Sequence, residues 1–408
     1  MTKKRILIIA LDFPPCQSAG VQRTLKFCEY LPLYGWEPTV ISAKSLIYDQ
    51  INNETKLPEW LEKNTHRAFG LNAVKHLSLY GKHFAFTTLP DRYRSWFWHA
   101  TYIGKRLLDN KNYDLIWSTY PYSTAHKIAR YLKAYSGLPW VADFRDPFSG
   151  HYIQGNMNKP AALIDSETVR NADLLVYATK RMSELYQDVY EDESGDKFTV
   201  IENGYNDDAF INHAYMSQTV STNNSNELVI LYSGELYENG RDPTALFKAL
   251  RKYQTNPQGS NKSIKIIFRG VSKYQQYSAQ VDYLGINSLV EFLPGVRYEA
   301  SIKEMLESDA LLALQGEIFN SQIPGKIYDY LRTCKPVMAL VDPNGATADL
   351  LRPIKHASIA DINSEDEIYS CLLDLPNISA SKTYDYGIFS RKKRTELLAT
   401  YLDEVINE

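Results

Sequence analysis

From its first residues almost to its last, the chain alternates short β-branched or aliphatic runs with longer stretches of helical periodicity, and few folds accept that pattern. Strands regularly separated by helices pair in parallel and are covered by helices on the faces of the sheet. In the first half the runs fall at 6–11, 39–42, 115–119, 140–143, 174–178 and 198–201. A helix is predicted over 21–31, with Val21, Leu25, Cys28 and Leu31 on one face and Pro32 and Gly35 ending it. The polar, aperiodic stretch that follows Asn206 reads as a linker. The alternation then restarts at 228–233, 264–269, 290–293, 311–314 and 336–341. With 408 residues there is chain enough for two α/β domains, expected as 1–206 and 228–408 around a linker at 207–227. The last helix is expected to pack back toward the first domain.

Composition narrows the function classes. A formal charge of -3 argues against a polyanion-binding surface, so nucleic acid is not an expected partner. Cys16, Cys28, Cys334 and Cys371 are scattered without a C-x-x-C pair, which points to a reducing, cytoplasmic setting and no metal site. The apolar run behind the basic start ends at Asp12 and two prolines, too short for a signal core, and no stretch reaches the about 18 apolar residues of a membrane span.

Ligands of open parallel sheets bind beyond the carboxyl ends of the strands, so chemistry is sought in the loops there. After the first strand, Gly20 leads into a helix, where backbone N–H groups can approach an anion; a turn glycine is the plainer reading. Asp143, Arg145 and Asp146 end a buried strand, where charge is costly unless it lines a site or is paired internally. Asn203 and Gly204 follow the last strand of the first half as a site element or as a simple turn. In the second half Gly234 and Arg241 bracket a loop before a helix marked by Asp242 and Pro243, a corner suited to a diphosphate unless the arginine is merely solvated. Pro324 opens a further short helix, on which Lys326 and Asp329 share a face. A lysine there can reach a phosphate and a carboxylate one turn on can hold two ribose hydroxyls; a surface ion pair is the alternative.

Taken together these residues resemble the retaining glycosyltransferases of family four, whose GT-B fold has two facing Rossmann-like domains. The segment QIPGKIYDYLRTCKPVMAL is similar to the family's P-S-K-x-x-E-Y-x-x-x-G-K-P signature, and IENGYNDDAF to its N-G-x-D element. FRDPF and LPDRYRSW resemble a branch associated with bacterial surface polysaccharide, of lipopolysaccharide or capsule type. The resemblance implies a metal-independent hexosyltransferase without a resident cofactor. Its co-substrate is a nucleotide-diphosphate sugar, UDP-linked for preference, and its acceptor a saccharide or lipid-linked glycan.

Residue by residue, the resemblance gives Gly20 to the loop facing donor phosphates and acceptor, Arg241 and Lys326 to diphosphate neutralisation, Asp329 to the ribose, and Val296 and Arg297 to the nucleobase. Retention is ascribed to front-face attack, which leaves no protein nucleophile to name. Three positions depart from the pattern. Ser321 and Asp329 stand where the family has a pair of glutamates, Glu235 stands where an arginine is usual and is expected to repel a diphosphate, and the Asp143–Asp146 group replaces a cleft histidine.

The stretch LPDRYRSWFWHATYIGKRLL carries Trp96, Phe97, Trp98 and Tyr102 among Arg92, Arg94, Lys105 and Arg106. It suits peripheral contact with the inner face of a membrane, or a helix that buries its tryptophans in the core. The competing functions are a nucleotide-sugar epimerase on the same scaffold and a non-catalytic sugar-binding subunit.

Overall fold

The computed structural model describes residues 3–18, 20–52, 54–78, 80, 82–147, 159–214, 227–256, 263–380 and 384–407. They form two compact units, Met1–Asn203 with Arg391–Glu408, and Gly204–Ser390.

The sheet of the first unit holds β1 (Lys4–Ile9), β2 (Trp36–Ala43), β3 (Thr65–Ala68), β4 (Leu115–Thr119), β5 (Trp140–Phe144), β6 (Leu174–Tyr177) and β7 (Phe198–Val200). All pair in parallel, in the order β3-β2-β1-β4-β5-β6-β7. Side chains alternate across a strand, so central β1 feeds two cores. Ile6 and Ile8 pack with Leu25 and Cys28 of helix Val21–Tyr30 and with Leu398 and Leu402 of helix Arg391–Asn407. Leu7 and Ile9 pack with Trp96 and Ala100 of helix Trp96–Asn110 and with Ile128 and Leu132 of helix Ser123–Ser136. These last two helices meet so closely that a Cβ on Gly104 would stand 2.5 Å from Leu132 Cδ1.

The second unit repeats the plan with β8 (Glu227–Ser233), β9 (Ser263–Arg269), β10 (Val290–Leu293), β11 (Ala310–Gln315), β12 (Val337–Val341) and β13 (Ala357–Ala360), ordered β10-β9-β8-β11-β12-β13 and again parallel. Ile230 and Tyr232 of β8 face Phe247 and Leu250 of helix Thr244–Thr255, whereas Leu231 faces Ile327 and Leu331 of helix Gly325–Thr333. In each sheet the chain winds outward from its first strand and then returns to that strand's other side. The crevices between β1 and β4 and between β8 and β11 are therefore switch points, where loops part in opposite directions and leave room for a ligand.

Two strands escape the sequence pattern. β3 and β13 lie at sheet edges, where a strand needs one partner and a partly covered face, so their polar or small residues give no apolar run. The stretch read as a linker, 207–227, begins with helix Asp207–Ala214, whose Ala209 and Phe210 are buried in the second unit; 215–226 lies outside the described residues. Helix Arg391–Asn407 belongs to the first unit, where Asp403 accepts from Lys4 at 2.5 Å and from Trp36 Nε1 at 2.8 Å. Among the described residues no helix is long and apolar enough to cross a membrane.

Candidate functional site

In the second unit the switch point gathers Gly234, Arg241, Lys326 and Asp329. β8 ends at Ser233, and Gly234 follows with φ +133°, a backbone conformation closed to most side chains. The loop to Arg241 is folded against the segment after β11: Gly316 N–H donates to Gly240 O at 2.6 Å, and a Cβ on Gly240 would stand 2.7 Å from the Phe319 ring. Buried Gln315 fixes the next turn by donating to Phe319 O and Gln322 O at 2.8 and 2.9 Å. Helix Gly325–Thr333 then starts behind Pro324 and delivers Lys326 to the end of β8.

There the Lys326 ammonium donates to Ser233 O at 3.0 Å and lies 3.8 Å from the centre of the Tyr232 ring. Both partners are neutral. Burial, and next the charge of Arg241, hold the Lys326 pKa well below its ordinary value. Arg241 rests 5.0 Å over the Tyr237 ring, and its buried Nε meets no hydrogen-bond acceptor. Neither cation forms an ion pair with a carboxylate among the described residues. Two neighbouring basic side chains without a carboxylate partner among the described residues thus sit behind tight turns at the switch point.

Asp329, predicted as the ribose carboxylate, is buried, and its Oδ1 accepts from Tyr298 Oη at 2.9 Å. The surface ion pair with Lys326 does not form. Ser321 sits in the turn between the 3-10 helix Glu317–Phe319 and helix Gly325–Thr333. Val296 and Arg297 are exposed after β10, with Arg297 at the cap of helix Tyr298–Glu307. Glu235, which stands where the family usually has an arginine, has a local partner: its carboxylate accepts from Ser272 N–H at 2.9 Å and Ser272 Oγ at 3.0 Å. Ser272 follows β9, so the carboxylate of Glu235 is tied to the start of the segment after β9.

The remaining candidates lie in the first unit. Asp143, at the end of β5, is wholly buried and satisfied internally: Arg23 Nη2 reaches Oδ1 at 2.7 Å and Thr119 Oγ1 reaches Oδ2 at 2.7 Å. The same guanidinium donates to Ile201 O at 2.8 Å, Glu202 O at 3.0 Å and Asn203 Oδ1 at 3.4 Å, tying the end of β5 to the segment after β7. Asp143 therefore braces strand ends, and Asn203 is held by Arg23 in that brace. The plainer sequence reading of this group is an ion pair between Arg145 and one of its two aspartates, but the cation on Asp143 is Arg23. Arg145 instead donates through Nε to Tyr120 O at 2.6 Å and through Nη2 to Asp12 at 3.4 Å. Asp12 also accepts from Ser18 Oγ at 2.7 Å, and that hydroxyl in turn accepts from Gly20 N–H at 3.2 Å. Gly20 and Arg145 thus meet at the β1/β4 switch point. Half-buried Asp146 has its pKa raised, chiefly by burial, with Asp12 and Asp143 adding to the rise and Arg145 opposing it. The end of FRDPF, Phe148, lies outside the described residues.

No protein-family model and no curated protein sequence matches the chain. Solved structures do. HepE from Anabaena in complex with UDP aligns over 98% of this chain and 100% of its own at 15% identity, with a TM-score of 0.65. The lipopolysaccharide outer core galactosyltransferase WaaB, in its apo form, aligns over 98% and 99% at 14% identity, with a TM-score of 0.60. The UDP-GlcNAc 2-epimerase of Methanocaldococcus jannaschii aligns over 98% and 99% at 10% identity, with a TM-score of 0.59. The fold is GT-B. At such identities the likeness is one of architecture, and it embraces both GT-B transferases and GT-B epimerases, so the activity has to be argued from side chains.

Proposed function

We propose that the chain is a glycosyltransferase whose second unit binds a nucleotide-diphosphate sugar, UDP-linked for preference, and which passes the sugar with retention to a saccharide or lipid-linked glycan in surface polysaccharide assembly. The reading is carried by the pair of uncompensated cations, Lys326 and Arg241, at the β8/β11 switch point. A diphosphate is the ligand that such a pair suits: it supplies the missing anion and restores the proton that Lys326 holds weakly in the free protein. As the glycosidic bond to the donor breaks, negative charge grows on the leaving diphosphate, and fixed cations stabilise it more than they stabilise the ground state. In this reading Asp329 turns its carboxylate to the ribose, Gly234 lets the backbone approach the phosphates, and Val296 and Arg297 flank the base. Ser321 stands at the sugar's edge, and Gly20, Arg145 and Asp146 serve the acceptor side. HepE in complex with UDP and the lipopolysaccharide outer core galactosyltransferase WaaB, which share this fold, support the donor class and the saccharide acceptor.

The experiment is a thermal-shift screen of UDP-, GDP- and dTDP-sugars followed by nucleotide release in the presence of glycan acceptors. Stabilisation by one nucleotide class with acceptor-dependent release is expected. The epimerase alignment gives one rival, tested by incubating the stabilising sugar nucleotide without acceptor. An epimeric nucleotide sugar among the products would replace the transferase reading; binding with neither reaction would leave a sugar-binding subunit.

A further inference from the structure

The helix Trp96–Asn110 is amphipathic in an unusual way. Its inner stripe, Trp96, Ala100, Gly104 and Leu107, is buried in the core of the first unit. Its outer stripe, which should be polar, reads Arg94, Trp98, Tyr102 and Arg106, each one turn beyond the last and each exposed, with Trp98 75% and Tyr102 56% accessible. The two sequence readings of this segment are thus divided between neighbours: Trp96 is core and Trp98 is surface. Beside the helix start, the 3-10 turn Ala85–Thr88 presents Phe84 and Phe86, 74% and 61% exposed with their rings stacked at 5.7 Å. Arg94 joins the two features, donating through Nη1 to Phe86 O at 2.8 Å.

Charge is as lopsided as the aromatic content. From 69 to 108 the chain has six lysines and arginines and one acid, Asp91, within a protein whose formal charge is -3. That acid is turned inward: its Oδ2 accepts from Ser123 Oγ at 2.9 Å and from Thr124 N–H at 2.8 Å, at the start of helix Ser123–Ser136. Arg92 is paired with Asp49 at 2.8 Å, and Asp109, near the far end of the helix, accepts from Tyr135 Oη at 2.8 Å, so the aromatic stripe between Arg94 and Arg106 is left with cations in excess.

We propose that this ridge, the Phe84–Phe86 turn and the outer stripe of helix Trp96–Asn110, docks on the headgroup layer of an anionic phospholipid bilayer. Tryptophan and tyrosine settle at that depth with the ring in the acyl boundary and the polar edge wet, and arginines on either side meet the phosphates. A second copy of the chain would bring the same cationic ridge and be repelled, so self-association through this face is disfavoured. The proposal does not rest on sugar transfer, because vesicle binding is read without any nucleotide sugar.

The full chain is sedimented with phosphatidylcholine vesicles, with and without phosphatidylglycerol, at low and high salt. Binding only where phosphatidylglycerol is present, weakened by salt, is expected, with tryptophan emission quenched by lipids brominated in the acyl chain. Trp98→Phe should remove most of that quenching, and Phe84→Ser with Phe86→Ser should weaken partitioning on the order of tenfold. Because these side chains are exposed, the melting temperature and circular dichroism should not move. No binding to phosphatidylglycerol vesicles overturns the proposal, as does binding that the variants leave intact. A monomer–dimer or acidic-protein association lost in Trp98→Ala while vesicles are ignored overturns it as well, in favour of a protein partner.

Discussion

Arg145 occupies the space that a side chain at residue 20 would need: a Cβ on Gly20 would stand 1.6 Å from Arg145 Nη1. The Gly20 backbone, at φ -75° and ψ -22°, suits any residue, so it is the guanidinium and not the turn that demands glycine. Gly20→Ala should displace Arg145 from Asp12 and Tyr120 and cost about 1–3 kcal/mol, the usual penalty of overpacking. Urea unfolding measures it. If the variant is as stable as the parent, Arg145 has room to swing and the close fit is not a constraint.

Burial, and next the charge of Arg241, hold the Lys326 pKa well below its ordinary value, and an incoming diphosphate reverses the second influence. A pKa that rises on binding means protons taken up with the ligand, so affinity for UDP should fall as pH is raised through the range in which the free lysine loses its proton. Isothermal titration in buffers of different ionisation enthalpy should record uptake in the parent and none in Lys326→Ala, whose affinity should also drop at least about tenfold. A pH-independent affinity with no proton exchange would remove Lys326 from the phosphate site.

Asp143 tests whether a charged strand end is machinery or brace. Its pairing with Arg23 is fully buried, so Asp143→Asn leaves a cation without its counterion and should cost about 3–5 kcal/mol of stability. Turnover per folded molecule, measured well below the lowered melting temperature, should change little. A stable variant with turnover abolished would return Asp143 to the chemistry.

The parallel α/β architecture was readable because eleven of the thirteen strands among the described residues announce themselves as apolar runs between helical patterns, whereas the two crevices are located by the strand order that the structure supplies. That Lys326, Arg241 and Gly234 come together was readable, because a local sequence logic of turn, proline and helix start fixes their placement. The site was not readable where partners come from afar. Nothing near Asp143 in sequence names Arg23, 120 residues away, and nothing near Glu235 names Ser272, which holds its carboxylate. Tyr298 on Asp329 and the Tyr232 ring beneath Lys326 are of the same kind. Periodicity reports which face a residue occupies, whereas pairing across a sheet depends on strand order, which the pattern leaves open.

Asp165, a core residue of helix Lys159–Asn171 outside any proposed site, gives the fold a pH signature. It is fully buried and accepts from Tyr186 Oη at 3.1 Å and Tyr190 Oη at 3.4 Å, with no cation paired to it among the described residues. Burial raises its pKa to about 7, and the two tyrosine hydrogen bonds oppose that rise without cancelling it. The sign follows from proton counting. Below about pH 4 both folded and unfolded chains hold the proton; as pH rises to 7 the unfolded chain releases it first, so stability declines, and above 7 the decline stops. At 1.36 kcal/mol per pKa unit, the loss between pH 5 and 8 is about 3 kcal/mol. Asparagine imitates the protonated acid, keeping one acceptor and one donor toward the two hydroxyls. Asp165→Asn should therefore match the parent only below about pH 4 and exceed it by a growing margin from about pH 5 to pH 8 in chemical denaturation. Parallel pH profiles for the two proteins would show that Asp165 titrates alike in the folded and unfolded chains, and the burial argument would fail.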